Sequence, residues 1–238
     1  MEAFNPLLIV YTMVPMILSL TVHEYAHAWT AMKLGDDTAA RMGRLTLNPI
    51  AHIDPIGTLL IPLVGLITHA PLFGWAKPVP IQPLQFTRRF RMKTGVLFTS
   101  AAGPLSNLLF ATLLAGLIGL LAQIKSPGEL LYLLQQGRGV WAALLKLGLF
   151  TIAVNVGLFV FNLLPLPPLD GSGVLAGFLP DRFVPILDSL SRYSFLLLIA
   201  ILYFAGEVIW FPVYWIVAGL STMVGFPIWE AFYYMLQS

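Results

Sequence analysis

Two histidines and a glutamate within five residues form the group of side chains in this sequence that is best suited to hydrolysis. His23, Glu24 and His27 fit the pattern H-E-x-x-H. On an α-helix, residues four positions apart share a face, so both imidazoles can bind one Zn²⁺. Glu24 would lie beside the metal, where a carboxylate can act as a general base toward water. The pattern predicts a zinc-dependent hydrolase; the alternative is that both histidines only pack within a helix.

The whole chain is too apolar for a soluble domain. Of 238 residues, 58% are hydrophobic and 10% are charged, whereas soluble domains average about 25% charged residues. The formal net charge of +2 and the scattered Lys and Arg residues argue against a nucleic-acid partner. The sequence contains no cysteine, so any metal must be held by His, Asp or Glu. The composition predicts an integral membrane protein with the lipid bilayer as its surroundings.

Three long apolar stretches predict a membrane-spanning core of three helices. They cover about residues 6–32, 94–123 and 140–164, and each exceeds the ~20 helical residues that cross a bilayer. The first stretch carries a polar stripe at helical spacing, which should face protein rather than lipid. Its members are Thr12, Ser19, His23, His27 and Thr30.

The region between the first two spans does not fit another full crossing. Residues 56–67 are only about 12 apolar residues, which predicts a re-entrant or partly inserted segment. Residues 72–86 contain prolines that alternate with apolar residues, a pattern typical of an extended edge strand. After the second span, residues 125–138 are predicted to be a short polar connection.

The C-terminal part predicts one or two further membrane segments. Residues 193–211 suit a fourth span, and residues 213–236 suit either a fifth span or an aromatic-rich interfacial helix. The expected fold is a polytopic α-helical membrane protein with about five to six membrane segments. We expect one integral membrane domain over residues 1–238, with its core in residues 6–177.

A catalytic zinc ion commonly has three protein ligands, so the two histidines require one further donor. Asp170 is the preferred candidate, because it follows a Pro-rich break after the third span. The orientation derived below also places it at the same depth in the membrane as the two histidines. An Asp-Gly pair can also be a simple turn. His52 and Asp54 stand among turn-forming Asn-Pro and Asp-Pro pairs, which favours a structural role. The remaining candidate donors are His69, Glu207 and Glu230.

The distribution of basic residues predicts the orientation in the membrane. Residues 33–93 contain eight Lys or Arg residues, against three on the other side, namely Lys125 and Arg138 in the connection and Lys146 just after it. Cytoplasmic loops carry the excess of positive charge, so the N-terminus should lie outside the cell. The first and third spans then both run inward and bring His27 and Asp170 to the cytoplasmic half of the cell membrane.

Two asparagines in apolar helices could donate hydrogen bonds to an oxyanion or to the substrate backbone. Asn107 ends the sequence G-P-L-S-N in the second span, and Asn162 precedes the Pro-rich break. Their alternative role is interhelical hydrogen bonding, which is common for Asn in membranes. Asn155 lacks a surrounding motif and is expected to be structural.

These motifs together resemble the site-2 protease family of intramembrane zinc metalloproteases. The resemblance rests on H-E-Y-A-H at residues 23–27, G-P-L-S-N at residues 103–107, and residues 162–171. It implies one Zn²⁺ per chain and a Glu24 acid/base, with Asn107 and Asn162 lining the substrate site. The metal ligands implied by the resemblance are His23, His27 and Asp170.

The resemblance also implies a substrate class, namely transmembrane proteins cut within or beside the membrane in regulated intramembrane proteolysis. The Pro-rich strand would lie beside the active site and could pair with an unwound substrate. The sequence leaves no room for PDZ or CBS domains, so regulation is expected from helix movement or an adaptor protein; the oligomeric state is open. A non-proteolytic zinc-binding protein or transporter is the alternative, against which the presence of Glu24 argues.

Overall fold

A computed structural model describes residues 6–68, 74–89, 91–204 and 206–237, and its regular elements are helices. Of the eleven α-helices in these described ranges, three are long and apolar enough to cross a membrane, namely the first, fourth and sixth. In chain order the helices are α1 (Pro6–Lys33), α2 (Thr38–Arg41), α3 (Ile61–Thr68), α4 (Met92–Lys125), α5 (Pro127–Gln136), α6 (Val140–Asn162), α7 (Asp170–Phe178), α8 (Val184–Ser191), α9 (Ser194–Phe204), α10 (Gly206–Val224) and α11 (Ile228–Gln237). The predicted class of polytopic α-helical membrane protein is confirmed.

Helix α1 carries the H-E-x-x-H residues and ends in a defined cap. Gly35 has a left-handed φ of 107°, and the N–H groups of Gly35 and Asp36 bond to the carbonyls of Met32 and Ala31, each at 3.0 Å. This is the Schellman pattern, for which glycine is favoured. The predicted polar stripe faces protein, since four of its five members are buried. They are Thr12, Ser19, His23 and His27.

Helix α4 is the central element, because it packs against α1, α6, α7 and α10. The main apolar core lies where α4 and α6 meet α5, α10 and α11. Residues 125–138 were expected to be a polar connection, but Pro127–Gln136 within them form helix α5. Its Leu130 and Leu134 lie one turn apart and are buried in that core. Burial of these two leucines favours a packed helix over an exposed polar connection.

The C-terminal helices also differ from the predicted spans. Helix α10 continues through Pro212, whereas the chain bends by 113° between α10 and α11. The bend follows from Gly225, which has a left-handed φ of 65°, and from Pro227, which cannot continue the ladder of helical hydrogen bonds. The bent pair would give a fourth span if it acts as one. Residues 55–68 form a short apolar helix, below spanning length as predicted.

The edge strand predicted for residues 72–86 is wrong, since the described part of the chain contains no β-strand. Residues 74–82 are nevertheless non-helical and bonded to loops instead of to a sheet. The Lys77 N–H donates to the His52 carbonyl at 2.9 Å, and Arg44 donates to the Lys77 carbonyl at 2.5 Å. Pro78 and Pro80 have no N–H to offer a ladder. We call residues 74–82 the Pro-rich segment.

The Pro-rich segment and the turn after it run along α1. Ala76 packs on α1 near its middle, Val79 packs closer to its C-terminal end, and Phe86 packs at that end. Their partners on α1 and its cap, in the same order, are Met16 and Leu20, then Ala28, then Ala31 and Leu34. The segment therefore passes directly over the turn that contains Glu24.

Asp36 fixes the end of the Pro-rich segment to the end of α1. Its fully buried carboxylate accepts hydrogen bonds from the N–H groups of Thr38 at 3.0 Å and Gln82 at 2.6 Å. Burial alone would raise the pKa of this carboxyl, but these hydrogen bonds hold its pKa below the ordinary value of 3.8. The ionised form is therefore the one that stabilises the fold.

We predict that Asp36→Asn lowers the free energy of unfolding by about 1.5–3 kcal/mol at neutral pH, because a charge-assisted hydrogen bond is lost. The folded-state pKa of Asp36 is depressed, so its contribution is present above pH 3.8 and is lost as the pH falls through the folded-state value. Denaturant titrations in detergent at neutral and acidic pH measure both effects. Asp37→Asn removes a neighbouring exposed carboxylate and is the matched control; equal losses in the two variants would contradict the prediction.

Candidate metal centre

His23, His27 and Asp170 meet in one cluster, although α1 and α7 are far apart in the sequence. Asp170 Oδ2 lies 3.0 Å from His23 Nε2 and 3.3 Å from His27 Nε2. The two Nε2 atoms are 3.0 Å apart. Both histidines are buried, whereas 21% of the Asp170 side chain is exposed. Asp170 is therefore the most exposed member of the cluster.

The three donor atoms fit a zinc ion. Ligand atoms of a tetrahedral zinc site lie about 3.3 Å apart, because zinc–nitrogen bonds are about 2.0–2.1 Å long. The observed separations of 3.0–3.3 Å match this spacing. Asp170 Oδ2 is buried without a hydrogen-bond donor, as a metal ligand would be. Two imidazoles and one carboxylate are also a donor set typical of catalytic zinc.

Gly103 on α4 is the surface against which both imidazoles pack. A Cβ at this position would overlap Nε2 of His27 and would lie 2.7 Å from Cε1 of His23. Only glycine leaves room for the two rings to approach α4 this closely. The G-P-L-S-N sequence therefore contributes a packing surface as well as its asparagine.

Helix α7 brings Asp170 to the cluster through further close contacts. A Cβ on Gly171 would overlap the carbonyls of Leu163 and Leu164, and a Cβ on Gly173 would overlap Ser100 of α4. The prolines between α6 and α7 break the helix after Asn162 as predicted. Asp170 then stands in the first turn of α7, where the helix dipole favours an acidic residue.

Asn107 forms interhelical hydrogen bonds, the alternative to a contact with substrate, and one of them is to His23. Its Oδ1 lies 2.6 Å from His23 Nδ1. Its amide donates to the Ser19 carbonyl at 3.1 Å and to Asn155 Oδ1 at 2.7 Å, so neither N–H remains for an oxyanion. Asn155 in turn donates to Ser19 Oγ at 2.7 Å. Such partners fix the tautomer and direction of a metal-binding imidazole.

The Thr99 carbonyl plays the same part for His27, whose Nδ1 lies 2.7 Å from it. Both Nδ1 atoms carry the ring hydrogen and donate it to an oxygen, so each Nε2 atom keeps a free lone pair with which it can bind a metal. Thr99 was not singled out from the sequence, whereas a structural role was expected for Asn155, whose hydrogen bonds link Asn107 and Ser19. The signal available in the sequence was the occurrence of polar residues within apolar membrane-spanning stretches, where every such group needs a partner.

Glu24 lies beside the cluster and is 8% exposed. Its Oε2 accepts a hydrogen bond of 2.8 Å from the N–H of Val79 in the Pro-rich segment. Within the described part of the chain, its Oε1 accepts no hydrogen bond. The Pro-rich segment thus fixes one of the two carboxylate oxygens of Glu24.

The other candidate residues stand elsewhere. His52 Nε2 contacts the Thr46 carbonyl at 2.8 Å, and Asp54 caps the helical turn that begins at Pro55. Glu230 is exposed on α11. Asn162 donates to the Leu158 carbonyl of its own helix at 3.0 Å. His69 and the Glu207 side chain lie outside the described residues.

The sequence matches a family described as peptidase family M50, over residues 11–205. A Bacillus subtilis protein named "Putative zinc metalloprotease YwhC" is 39% identical over 194 residues, which cover 80% of this chain and 79% of that protein. A "Putative zinc metalloprotease Rip2" from Mycolicibacterium smegmatis is 30% identical over 201 residues, covering 84% and 70%. The protein of the same name from Mycobacterium tuberculosis H37Rv is 28% identical over 210 residues, covering 86% and 73%. No solved structure matches this chain.

We predict that Gly103→Ala weakens zinc binding about 10- to 100-fold, the range for changes that disturb the orientation of ligands. The added methyl group would push the two imidazoles apart. Gly116→Ala on the same helix is the matched control, because a Cβ there meets nothing within 4 Å. Competition with a chromogenic chelator measures the affinity. Equal affinities of Gly103→Ala and Gly116→Ala would contradict the proposed packing.

Proposed function

We propose that this chain, which belongs to peptidase family M50 and is a zinc metalloprotease, hydrolyses peptide bonds in or beside the transmembrane segments of other membrane proteins. The observation that supports this most is the location of the donor set. His23 and His27 are buried in α1, a helix long enough to span a membrane, and Asp170 completes the set. A zinc site at that position can act on a peptide held within the bilayer.

Glu24 is the proposed general base and acid. Zinc bound at such a site supplies Lewis-acid chemistry and makes water nucleophilic near neutral pH. Glu24 Oε1 would accept a proton from the attacking water and then return it to the amide nitrogen of the leaving group. Its Oε2 stays bonded to Val79 meanwhile. Protons are thus moved by a single side chain beside the metal ligands.

Substrate contacts are proposed for two elements. Asn162 uses one amide hydrogen within its own helix, and the second has no partner in the described part of the chain. It remains the candidate for contact with an oxyanion or substrate. The Pro-rich segment lies next to Glu24, and the carbonyls of Pro78 and Pro80 accept no hydrogen bond from described residues. They could accept N–H groups of an extended substrate.

In the proposed orientation, the metal centre of the catalytic core (residues 6–177) lies in the cytoplasmic half of the membrane. His27 precedes the end of α1 by six residues, on the order of 9 Å at ~1.5 Å per residue. The basic residues between α1 and α4 favour the cytoplasm for that end. The N-terminus would then lie outside.

Single cysteines test this orientation cleanly, because the chain has none of its own. We predict that a membrane-impermeant maleimide labels Gln136→Cys in intact cells. Met42→Cys, on the opposite connection, should be labelled only after permeabilisation. Both positions are exposed. Labelling of Met42→Cys from outside would reverse the proposed topology.

We predict that Glu24→Gln keeps zinc but loses peptide cleavage by about 10²–10⁴-fold, the contribution typical of a general base. The assay uses purified protein in phospholipid vesicles with a library of single-span polypeptides whose apolar segment is randomised, and mass spectrometry identifies the products. Asp170→Ala should lower the zinc content as well, because a ligand is lost. Glu129→Gln, an exposed position in α5, is the matched control. Cleavage at the wild-type rate by Glu24→Gln would overturn the mechanism, and zinc binding without any cleavage by the wild type would favour a non-proteolytic role.

A further inference from the structure

We propose that the backbone N–H of Val79 is a positioning group for the Glu24 carboxylate and so links the Pro-rich segment to the catalytic step. The inference rests on the proposed function, since it assigns a role within that reaction. Val79 would act through Glu24 without touching the metal. Its side chain would be replaceable, whereas its amide hydrogen would not.

The first observation is the hydrogen bond itself. Glu24 Oε2 and the Val79 nitrogen are 2.8 Å apart, within the range of charge-assisted hydrogen bonds between an amide and a carboxylate. A glutamate side chain has three rotatable bonds, so its position on α1 alone does not fix the carboxylate. This is the one hydrogen bond that Glu24 accepts within the described part of the chain. The direction of the base therefore depends on an element outside α1.

The second observation is the sequence around the donor. Val79 stands between Pro78 and Pro80, and proline has no backbone N–H. Residues 78–80 thus possess a single amide hydrogen, and it bonds to Glu24. The two prolines also limit the backbone of this stretch to extended conformations. The segment offers a stiff support with one donor.

The third observation is that the backbone is held by hydrogen bonds before and after Val79, and that the Val79 side chain packs on α1. The Lys77 backbone is bonded to His52 and Arg44, and the Gln82 N–H is bonded to Asp36. The Val79 side chain is buried and packs with Ala28, which lies one helical turn beyond Glu24 on the same face of α1. Val79 therefore contacts the same face of α1 twice, through its side chain at Ala28 and through its N–H at Glu24.

The kinetic test compares two substitutions of the same residue. Val79→Pro removes the N–H and fills its place with a ring carbon, whereas Val79→Ala keeps it. We expect kcat to fall about 10- to 100-fold in Val79→Pro, as for a misplaced catalytic group, with KM within about threefold of the wild type. Val79→Ala should retain most of the wild-type kcat. The substrate is the library member that the wild type cleaves fastest.

A double-mutant cycle separates this role from general damage to the fold. In Glu24→Asp the carboxylate is one methylene shorter and does not reach Val79, so adding Val79→Pro should lower the remaining kcat by less than about twofold. If Val79→Pro loses zinc, replacement of the Val79 amide by an ester, with 2-hydroxyisovalerate in place of valine, removes the N–H without the ring. Wild-type kcat in both donor-free variants, or an equal loss in the Glu24→Asp background, would overturn the inference.

A spectroscopic test does not depend on activity. In zinc-loaded protein labelled with ¹⁵N-valine in detergent micelles, the Val79 amide signal is assigned by its absence in Val79→Ala. We expect Glu24→Gln to move this proton signal upfield, while valine amides remote from Glu24 stay in place. An unmoved Val79 signal would overturn the inference even if the wild type cleaves peptides. Failure of the wild type to cleave any library member would instead count against the proposed function.

Discussion

The absence of water within an apolar membrane helix bundle is the constraint on which the rest of this structure depends. Every polar group buried there must find its partner inside the protein, because none is available from the surroundings. His23 is paired with Asn107, His27 with the Thr99 carbonyl, and Glu24 with Val79. Asp170 Oδ2 differs, since this fully buried oxygen has imidazole nitrogens as neighbours and no hydrogen-bond donor among the described residues. Within the described residues, this buried oxygen of the donor set lies where a cation would satisfy it.

Close approach of helices is the second requirement, and glycine meets it. The imidazoles reach α4 only over Gly103, and α7 reaches the end of α6 only at Gly171. In membranes, helices associate through such small residues, since apolar burial gains little against lipid. The same packing that holds α1, α4 and α7 together therefore sets the distances between the donor atoms. A substitution at Gly103 or Gly171 would therefore change both the stability of the fold and the distances between the metal-binding atoms.

Much of this arrangement follows from local sequence. The length of the apolar stretches predicted α1, α4 and α6, and the spacing of His23 and His27 on α1 predicted one shared face. The partners of those residues were not predictable, because they depend on distant parts of the chain. Asn107 is 84 residues from His23, and Asn155 is 136 residues from Ser19. An amide in an apolar helix signals that it needs a partner, but not whether the partner is a substrate or another helix.

The Pro-rich segment shows why local pattern also misled. Alternating prolines and apolar residues suit an edge strand, and the backbone of residues 74–82 is indeed non-helical. A strand needs a sheet, however, and the acceptors here are loop carbonyls for the first half of the segment and the side chains of Glu24 and Asp36 for the second half. Because the prolines remove competing donors, the remaining N–H groups have defined targets. The segment thereby packs against the face of α1 that carries Glu24, whereas Asp170, on α7, is the partly exposed member of the donor set.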